Sequence, residues 1–398
     1  MSVRSAVWFP ALILVASASI GVAIWIGLLA QVVDESANPS IDGPAFGRDF
    51  AAFQLAGQRV VSGDAGDLYV FDADAIGRNQ GPARFVNPPF YALSMVPLST
   101  VGFMPGYLAW TLLGAISLAV GLLLLGVRYP LAWFVGIVLT LAGLLNTFYG
   151  QNSLFTFLLL SASYASLRGR REVLGGAFLG GIAYKPQLLG GFVVWLIYGH
   201  RTMWKVVAGA ALSLGALAGA SVLLIPEAWP RFADAILTSQ PNLATDEVQL
   251  SIRHAALLLL PRHEALALVL YGVAVVSVVV GQIWFLGRVS DDLALEFASA
   301  VSVSVLVAPR GLTYDWLLLA IPLALVWAAR PDYWKAWLWS TAVLVGTVLV
   351  SVYAAKWQMD EFGRALQLAP VVLGVVLVLA GRILAGESPE GPTAVDLT

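Results

Sequence analysis

The sequence predicts an all-α integral membrane protein: a bundle of about 12 transmembrane helices with a re-entrant or interfacial segment and a long first outer loop. Hydrophobic residues make up 59% of the chain and charged residues only 12%, whereas a soluble domain carries about 25% charged residues. The charges are also clustered, since none occurs from Ser5 to Val33, from Phe85 to Val127 or from Tyr129 to Leu167. Apolar runs of about 20 residues span the hydrocarbon core, where the backbone must bond to itself, and they therefore predict helices.

Twelve apolar segments are predicted to span the bilayer. In chain order they are 7–30, 104–127, 130–148, 152–167, 173–184, 187–199, 206–225, 265–287, 294–308, 316–329, 336–355 and 366–384. The first is predicted to be a retained anchor, because its apolar core is long enough to span and no small-residue cleavage site follows it.

The basic residues of the short loops predict the orientation, because such residues face the cytoplasm. They fall on one side of the predicted threading and comprise Arg4, Arg128, Arg168, Arg170, Arg171, Arg201, Lys205, Arg288, Arg330, Lys335 and Arg382. We therefore expect a single membrane domain over 1–385 in a bacterial plasma (inner) membrane, with both termini cytoplasmic and a disordered tail at 386–398. The outer face receives the two long loops, 31–87 and 226–263.

This orientation requires that two segments do not cross the membrane as single full-length helices. Segment 88–101 is predicted to be re-entrant or interfacial, because a full crossing would invert the loops that follow, and its three prolines suit a broken segment. Segment 173–199 is predicted to be a hairpin of two short spans that turns near Lys185. Because 13 helical residues rise only about 20 Å, the turn is expected to lie below the outer surface.

Composition disfavours several classes of function. The net charge of −2 argues against nucleic acid as a partner. The chain has no cysteine and only three histidines, none at ligand spacing, so no metal site is predicted. No phosphate-binding or nucleotide-binding glycine loop occurs, and no cofactor is expected. An activated substrate would therefore have to reach the protein within the membrane.

Asp49 is the first candidate catalytic residue. It follows Arg48 and precedes a predicted helix over 50–61, beyond the first span. A carboxylate at the membrane boundary is suited to take a proton from a sugar hydroxyl as a general base. The alternative is a first-turn acid that only stabilises the helix.

Lys185 is the most informative basic residue, since it is the only charged residue between Glu172 and Arg201. A charge inside a membrane segment costs about 2.5–3.5 kcal/mol, so such a residue faces a cavity and a partner. The expected partner is an anion such as a phosphate. Snorkelling of the side chain to the interface is the alternative.

Further polar residues are predicted to gather at the same face. Gln151 and Asn152 lie between two spans, where they either cap a helix or bind a sugar. Arginine is suited to bidentate contact with a phosphate. For Asp315, the alternative to a role in substrate binding is an ion pair with Arg310 or Lys185. Beyond these, the candidate donor-phosphate ligands are Arg253, Arg310 and Tyr314, and the candidate substrate contacts are Arg48, Gln187, His254 and Asp315.

Five stretches in this order resemble the GT-C membrane glycosyltransferases, and specifically glycosyltransferase family 87. They are Arg48-Asp49-Phe50 with Ala56, Gly63 and Leu68-Tyr69; Asn87-Pro88-Pro89-Phe90 through Pro97-Leu98; Gly150-Gln151-Asn152; Tyr184-Lys185-Pro186-Gln187; and Ala308-Pro309 with Tyr314-Asp315. The sequence departs from the family pattern at Arg310, where relatives often carry a histidine, and at Asn87, where an aromatic residue is commoner.

The resemblance implies an inverting, metal-independent transfer of mannose or another hexose at the outer leaflet. A polyprenyl-phosphate-linked sugar would be the donor, and a hydroxyl of a lipid- or glycan-linked acceptor would attack it. Asp49 matches the family's catalytic base, and the basic residues of the same cavity would hold the departing phosphate. The partners implied are the two substrates and membrane lipid.

Two other classes of function stay open at this point. A flippase or transporter for a polyprenyl-linked or anionic substrate would also explain Lys185, although it predicts charges on both sides of the midplane and no need for Asp49 as a base. A membrane scaffold for envelope assembly is the third, weaker class.

Overall fold

The computed structural model describes residues 47–70, 85–199, 203–238, 249–289, 292–331, 338–347 except 344, and 368–386, with a few isolated positions before 47. Within these ranges the chain is helical, which confirms the predicted all-α class; no strand occurs there, and the β-type pairing is an isolated bridge between Gln249 and Leu312. The predicted anchor at 7–30 and nearly all of the predicted tail lie outside the described residues.

Fifteen α-helices have assigned bounds in the described ranges. They are α1 (Arg48–Ser62), α2 (Pro89–Ser99), α3 (Phe103–Leu125), α4 (Pro130–Leu139), α5 (Leu141–Tyr149), α6 (Ser153–Arg168), α7 (Glu172–Gly181), α8 (Gly190–Tyr198), α9 (Trp204–Leu224), α10 (Ala228–Thr238), α11 (Ile252–Leu259), α12 (Glu264–Leu286), α13 (Leu293–Val307), α14 (Ala320–Ala329) and α15 (Leu368–Gly386). Short 3-10 segments connect some of them, at Ala65–Asp67, Ile182–Tyr184, Pro186–Leu189 and Thr313–Leu319.

Three of these helices are long and apolar enough to cross a bilayer, namely α3, α9 and α12. The predicted span 130–148 is bent: α4 and α5 meet at an angle of 71°, so the segment is either a broken span or a re-entrant loop. Thr140 causes the break: it is extended, with a ψ of 154°, and its hydroxyl accepts a hydrogen bond from the Gly143 amide as the N-cap of α5. The remaining apolar helices are shorter, so the number of crossings stays a prediction.

Helix α2 lies in the segment predicted to be re-entrant or interfacial. Its 11 residues rise about 16 Å, about half of the hydrocarbon thickness. The Gln54 amide donates to the carbonyls of Leu98 and Val101, both at 3.0 Å, and so satisfies backbone groups where α2 ends. Helix α2 packs along α1, and its depth in a bilayer stays a prediction.

The chain reverses at Lys185, between α7 and α8. Helices α7 and α9 run parallel, because Gly176 lies against Val206 and Gly180 lies against Ala210. Helix α8 between them must therefore return. The expected hairpin is splayed, since α7 packs on α6 and α9 whereas α8 packs on α12 and α13.

The bundle has two chemically different ends. The Trp110 indole donates to the carbonyl of Gly150 at 2.9 Å, and the Arg168 guanidinium donates to the carbonyl of Leu124 at 3.3 Å, so α3 and α6 run side by side in the same direction. We call the end with Gly150 the site end and the end with Arg168 the basic end. The basic end also holds ion pairs between Lys205 and Glu172 at 3.2 Å and between Arg330 and Asp292 at 3.7 Å.

An aromatic core at the site end fixes α1 in place. The Phe50 ring lies 5.8 Å from Phe103 and 6.0 Å from Trp110, and the Phe53 ring meets Tyr91 edge to face at 5.2 Å. Such pairs contribute about 0.5–1.5 kcal/mol each beyond burial. They anchor the first turn of α1 against α2 and α3, and that turn carries Asp49.

Gly176 permits the close approach of α7 and α9, and its substitution by alanine should destabilise the protein. A Cβ at Gly176 would lie 1.9 Å from the carbonyl oxygen of Val206, so the backbones would have to separate. We expect the free energy of unfolding to fall by about 1–3 kcal/mol, as for other overpacked sites. Thermal unfolding in detergent measures the change. Gly215→Ala is the matched control on α9, since a Cβ there meets nothing within 4 Å, and an equal loss in both variants would contradict the explanation.

Candidate active site

Asp49 lies in the first turn of α1, where the backbone amides favour a negative charge. The helix can begin there because Gly47 adopts a left-handed φ of 65° and donates its amide to the carbonyl of Phe148 at 2.8 Å. A Cβ at Gly47 would lie 2.6 Å from the Phe103 ring. Asp49 is therefore a first-turn acid, as the alternative supposed, but it is also only 6% exposed. Ordinary helix-capping acids are solvated, so its burial calls for a further explanation.

The Asp49 carboxylate is held by side chains from two parts of the chain. The Gln151 amide donates to its Oδ2 at 2.5 Å, and Arg48 Nε lies 4.0 Å from its Oδ1. The Arg48 guanidinium also lies over the Tyr149 ring, 5.4 Å from the ring centre. These contacts orient the carboxylate toward the turn that follows α5.

Lys185 forms a buried ion pair with Asp315. The Lys185 Nζ donates to Asp315 Oδ1 at 2.6 Å and to Ser153 Oγ at 3.0 Å, and the Ser153 hydroxyl donates to the same Oδ1 at 2.6 Å. Lys185 is 5% exposed and Asp315 is 1% exposed. The ammonium also lies 5.2 Å from the centre of the Tyr314 ring. The ion pair predicted as the alternative for Asp315 is thus present, and Lys185 does not extend to an exposed position.

One turn of the chain connects the two charged groups. Residues 150–152 lie between α5 and α6, and Ser153 begins α6. Gln151 contacts Asp49, while Ser153 contacts Lys185 and Asp315. Since Gln151 and Ser153 are only two residues apart, the Asp49 carboxylate and the Lys185–Asp315 ion pair both contact the same short stretch of chain. The arrangement offers a proton acceptor beside a cation in a site that excludes most water, where electrostatic effects are strong.

Tyrosines and asparagines pack beside this turn. The Tyr91 and Tyr184 rings stack at 5.0 Å, and the Asn152 amide donates to the Tyr91 hydroxyl at 2.9 Å. The Asn87 amide donates to the carbonyl of Tyr184 at 3.0 Å, which gives this unexpected asparagine a structural role. The Tyr69 hydroxyl donates to the carbonyl of Asn87 at 2.7 Å, and burial raises its pKa far above the usual value, so it stays a donor.

The described residues of the second predicted outer loop form the helices α10 and α11, and α11 carries Arg253 and His254. Ser251 caps α11 and accepts the backbone amide of His254 at 3.1 Å. The Leu250 amide donates to the carbonyl of Gly311 at 2.7 Å. These contacts bring Arg253 and His254 beside the Arg310 loop, immediately before the 3-10 segment that holds Tyr314 and Asp315. Gln187 is half-buried two residues beyond Lys185.

Sequence reasoning missed three residues of the site. Ser153 binds both members of the ion pair, and Tyr91 and Tyr184 form the stacked pair beside Asn152. Both tyrosines lie within the motif stretches, and that position could have identified them. No sequence feature pointed to Ser153, because its partner Asp315 is 162 positions away. Among the described residues, no three histidine, aspartate or glutamate side chains group as metal ligands would.

Comparison with known proteins identifies the family. The sequence model of glycosyltransferase family 87 matches residues 85–309, which is more than half of the chain. The matched region includes Gln151, Asn152 and Lys185, follows Asp49 and ends before Arg310. Neither the curated proteins nor the solved structures that were compared contain a match. The chain therefore belongs to glycosyltransferase family 87, and it is a glycosyltransferase built of apolar membrane helices.

Proposed function

We propose that the protein transfers a hexose, with mannose the first candidate, from a polyprenyl-phosphate sugar to a hydroxyl of a lipid- or glycan-linked acceptor. The observation that carries the proposal is that Asp49 and Lys185 contact residues only two positions apart, Gln151 and Ser153. The carboxylate is suited to accept a proton and the ammonium to face an anion, and a displacement at a sugar phosphate requires both.

The proposed reaction is a single inverting displacement. The Asp49 carboxylate takes the proton of the acceptor hydroxyl, whose oxygen attacks the anomeric carbon of the donor sugar. The bond between the anomeric carbon and the phosphate oxygen breaks, and its electron pair leaves with the polyprenyl phosphate. One negative charge thus moves from Asp49 to the phosphate, which is why a cation is needed near the leaving group.

Lys185 is the proposed main contact of that phosphate. An ammonium has three donors. Within the described ranges Lys185 uses two of them, on Asp315 and Ser153, which leaves one for a ligand. Arg253 and Arg310 approach the same end of the bundle and would add to the positive potential. Stabilisation of a leaving oxyanion by such groups contributes several kcal/mol to a transition state.

The site end supports a substrate that arrives in the membrane. Asp49 and Lys185 sit among apolar helices, and the sequence has no glycine-rich loop that would bind a nucleotide sugar. The basic end lies opposite, with Arg168, Lys205 and Arg330 in its loops. By the preference of such residues for the cytoplasm, we place the reaction on the non-cytoplasmic face of a bacterial plasma membrane.

The decisive experiment measures transfer of labelled mannose from synthetic polyprenyl-phosphate-mannose in membranes that contain the protein, with envelope lipids and glycans as acceptors. Polyprenyl-phosphate-linked glucose and arabinose serve as competing donors. A labelled product that forms only from a lipid-phosphate donor supports the proposal. If the wild-type protein transfers none of the sugars but moves the lipid across vesicle membranes, it is a carrier, and the proposal is wrong.

Gln151→Ala should slow transfer, because the Asp49 carboxylate loses the hydrogen bond that orients it. A hydrogen bond to a charged group contributes about 1.5–3 kcal/mol, which corresponds to a roughly 10- to 100-fold lower kcat. The donor KM should change little, because Gln151 bonds to the proposed base and not to Lys185. Gln58→Ala is the matched control, since this exposed glutamine of α1 donates to the carbonyl of Ser99, away from Asp49 and Lys185. A higher donor KM with an unchanged kcat would refute this role for Gln151.

A further inference from the structure

Two buried acceptor atoms beside the turn at 150–153 have no hydrogen-bond partner in the described part of the protein. They are Asn152 Oδ1 and Asp315 Oδ2. Both residues are 1% exposed. More than nine in ten buried polar groups in native proteins are satisfied, and exceptions tend to mark functional positions. Asn152 precedes Ser153 in the chain and Asp315 accepts the Ser153 hydroxyl, so both atoms belong to the same site and indicate a ligand.

The unsatisfied atom of Asn152 does not depend on how its amide is oriented. The Tyr91 hydroxyl can accept from the amide nitrogen, at 2.9 Å, or donate to the amide oxygen if the group is turned. In either orientation one of the two polar atoms is left without a partner. A hydroxyl group both donates and accepts, so it can satisfy whichever atom faces the ligand.

The unsatisfied atom of Asp315 has a fixed character. Lys185 and Ser153 both donate to Oδ1, so the second oxygen carries the unused acceptor capacity of an ionised carboxylate. A buried carboxylate oxygen that lacks a hydrogen-bond donor costs more free energy than a neutral acceptor that lacks one. A hydroxyl hydrogen is the simplest donor that a sugar can offer.

We propose that Asn152 and Asp315 bind two hydroxyl groups of the transferred sugar and set the choice of sugar. This inference rests on the proposed function and extends it. Lys185 would hold the phosphate with its remaining N–H, while Asp315, which is bonded to Lys185, holds a hydroxyl of the sugar attached to that phosphate. The ion pair thus recognises both halves of the sugar phosphate.

Selectivity between sugars arises because a buried polar atom of the protein costs free energy when it has no hydrogen-bond partner. A site built to bond a hydroxyl strongly rejects an analogue that lacks it, because the buried protein atom is then unpaired. Asp315→Asn removes this acceptor: Lys185 and Ser153 are donors, so the asparagine oxygen will face them and its NH₂ will occupy the position of Oδ2. A variant without the acceptor should therefore lose the preference for that one hydroxyl.

The experiment compares kcat/KM for a polyprenyl-phosphate hexose with its deoxy and deoxyfluoro analogues at each hydroxyl position. The variants are Asp315→Asn and Asn152→Ala. In the wild type, removal of the two recognised hydroxyls should each lower kcat/KM at least about tenfold, the effect of a lost charged or buried hydrogen bond. In each variant, removal of one of those two hydroxyls should lower kcat/KM by less than about threefold. Intrinsic effects of fluorine on the reaction cancel, because they occur in every variant.

Ser153→Ala is the matched control, since Ser153 bonds to Oδ1 of Asp315 and not to Oδ2. It should lower activity and leave all the deoxy penalties unchanged. If Asp315→Asn does not fold, Asp315→Glu keeps the charge and shifts the carboxylate, and its pattern of penalties should differ from the wild type. Equal penalties in wild type and in all these variants would overturn this inference alone. Absence of transfer by the wild type would instead overturn the proposed function.

Discussion

Asp49→Asn is expected to abolish sugar transfer, with a loss of kcat of at least about 10²–10⁴-fold, the usual contribution of a positioned general base. Asparagine has nearly the shape of aspartate, and Gln151 can still bond to its amide oxygen, so the first turn of α1 should stay in place. Donor binding should persist, because the proposed phosphate contact, Lys185, bonds to Ser153 and Asp315 and not to Asp49. Transfer of labelled sugar and retention of a labelled donor by the purified protein measure the two properties separately.

Asp64→Asn is the control for that substitution. Asp64 is an exposed acid that directly follows α1 and accepts a hydrogen bond from the Ser62 hydroxyl at 2.7 Å. It lies in the same predicted outer loop as Asp49, so it tests any general effect of lost negative charge. We expect wild-type transfer from Asp64→Asn, and near-normal transfer from Asp49→Asn would remove Asp49 from the mechanism.

Lys185→Met should both destabilise the protein and prevent transfer. Removal of one partner from a buried ion pair lowers the free energy of unfolding by about 3–5 kcal/mol, because the remaining charge is left uncompensated. Asp315 would be that charge, with Ser153 as its remaining hydrogen-bond donor among the described contacts. Thermal unfolding in detergent and sugar transfer are the measurements.

The double variant Lys185→Met/Asp315→Asn separates stability from function. It removes both charges, so most of the stability should return, as it does when buried pairs are replaced by neutral residues. Transfer should stay absent, since no ammonium faces the phosphate. Recovery of transfer along with stability would show that Lys185 serves the fold only.

Lys205→Met is the control for loss of a lysine. Lys205 pairs with Glu172 at the basic end, and its side chain is 49% exposed. Exposed pairs of this kind contribute about 0–1 kcal/mol. We expect little change in stability and none in transfer.

The sequence by itself determined the class of the protein and much of its helix pattern. Long apolar runs without charge leave only helices as membrane-compatible structures, and the observed bounds of α3, α9 and α12 lie within two residues of those predicted. The helix after Asp49 also formed where it was predicted. These features depend on local composition, which a single chain displays directly.

The tertiary structure alone decided how the polar residues combine. Lys185 and Asp315 are 130 positions apart, and Ser153 joins them from the start of α6, so no local pattern could specify the contact. The 71° bend at Thr140 was likewise hidden inside a continuous apolar run, because hydropathy does not register which hydroxyl caps a helix. Asp49 and Lys185 are both buried and contact the same short stretch of chain. Only the packed bundle decides this, because it removes water from both groups and forces each to find its partners within the protein.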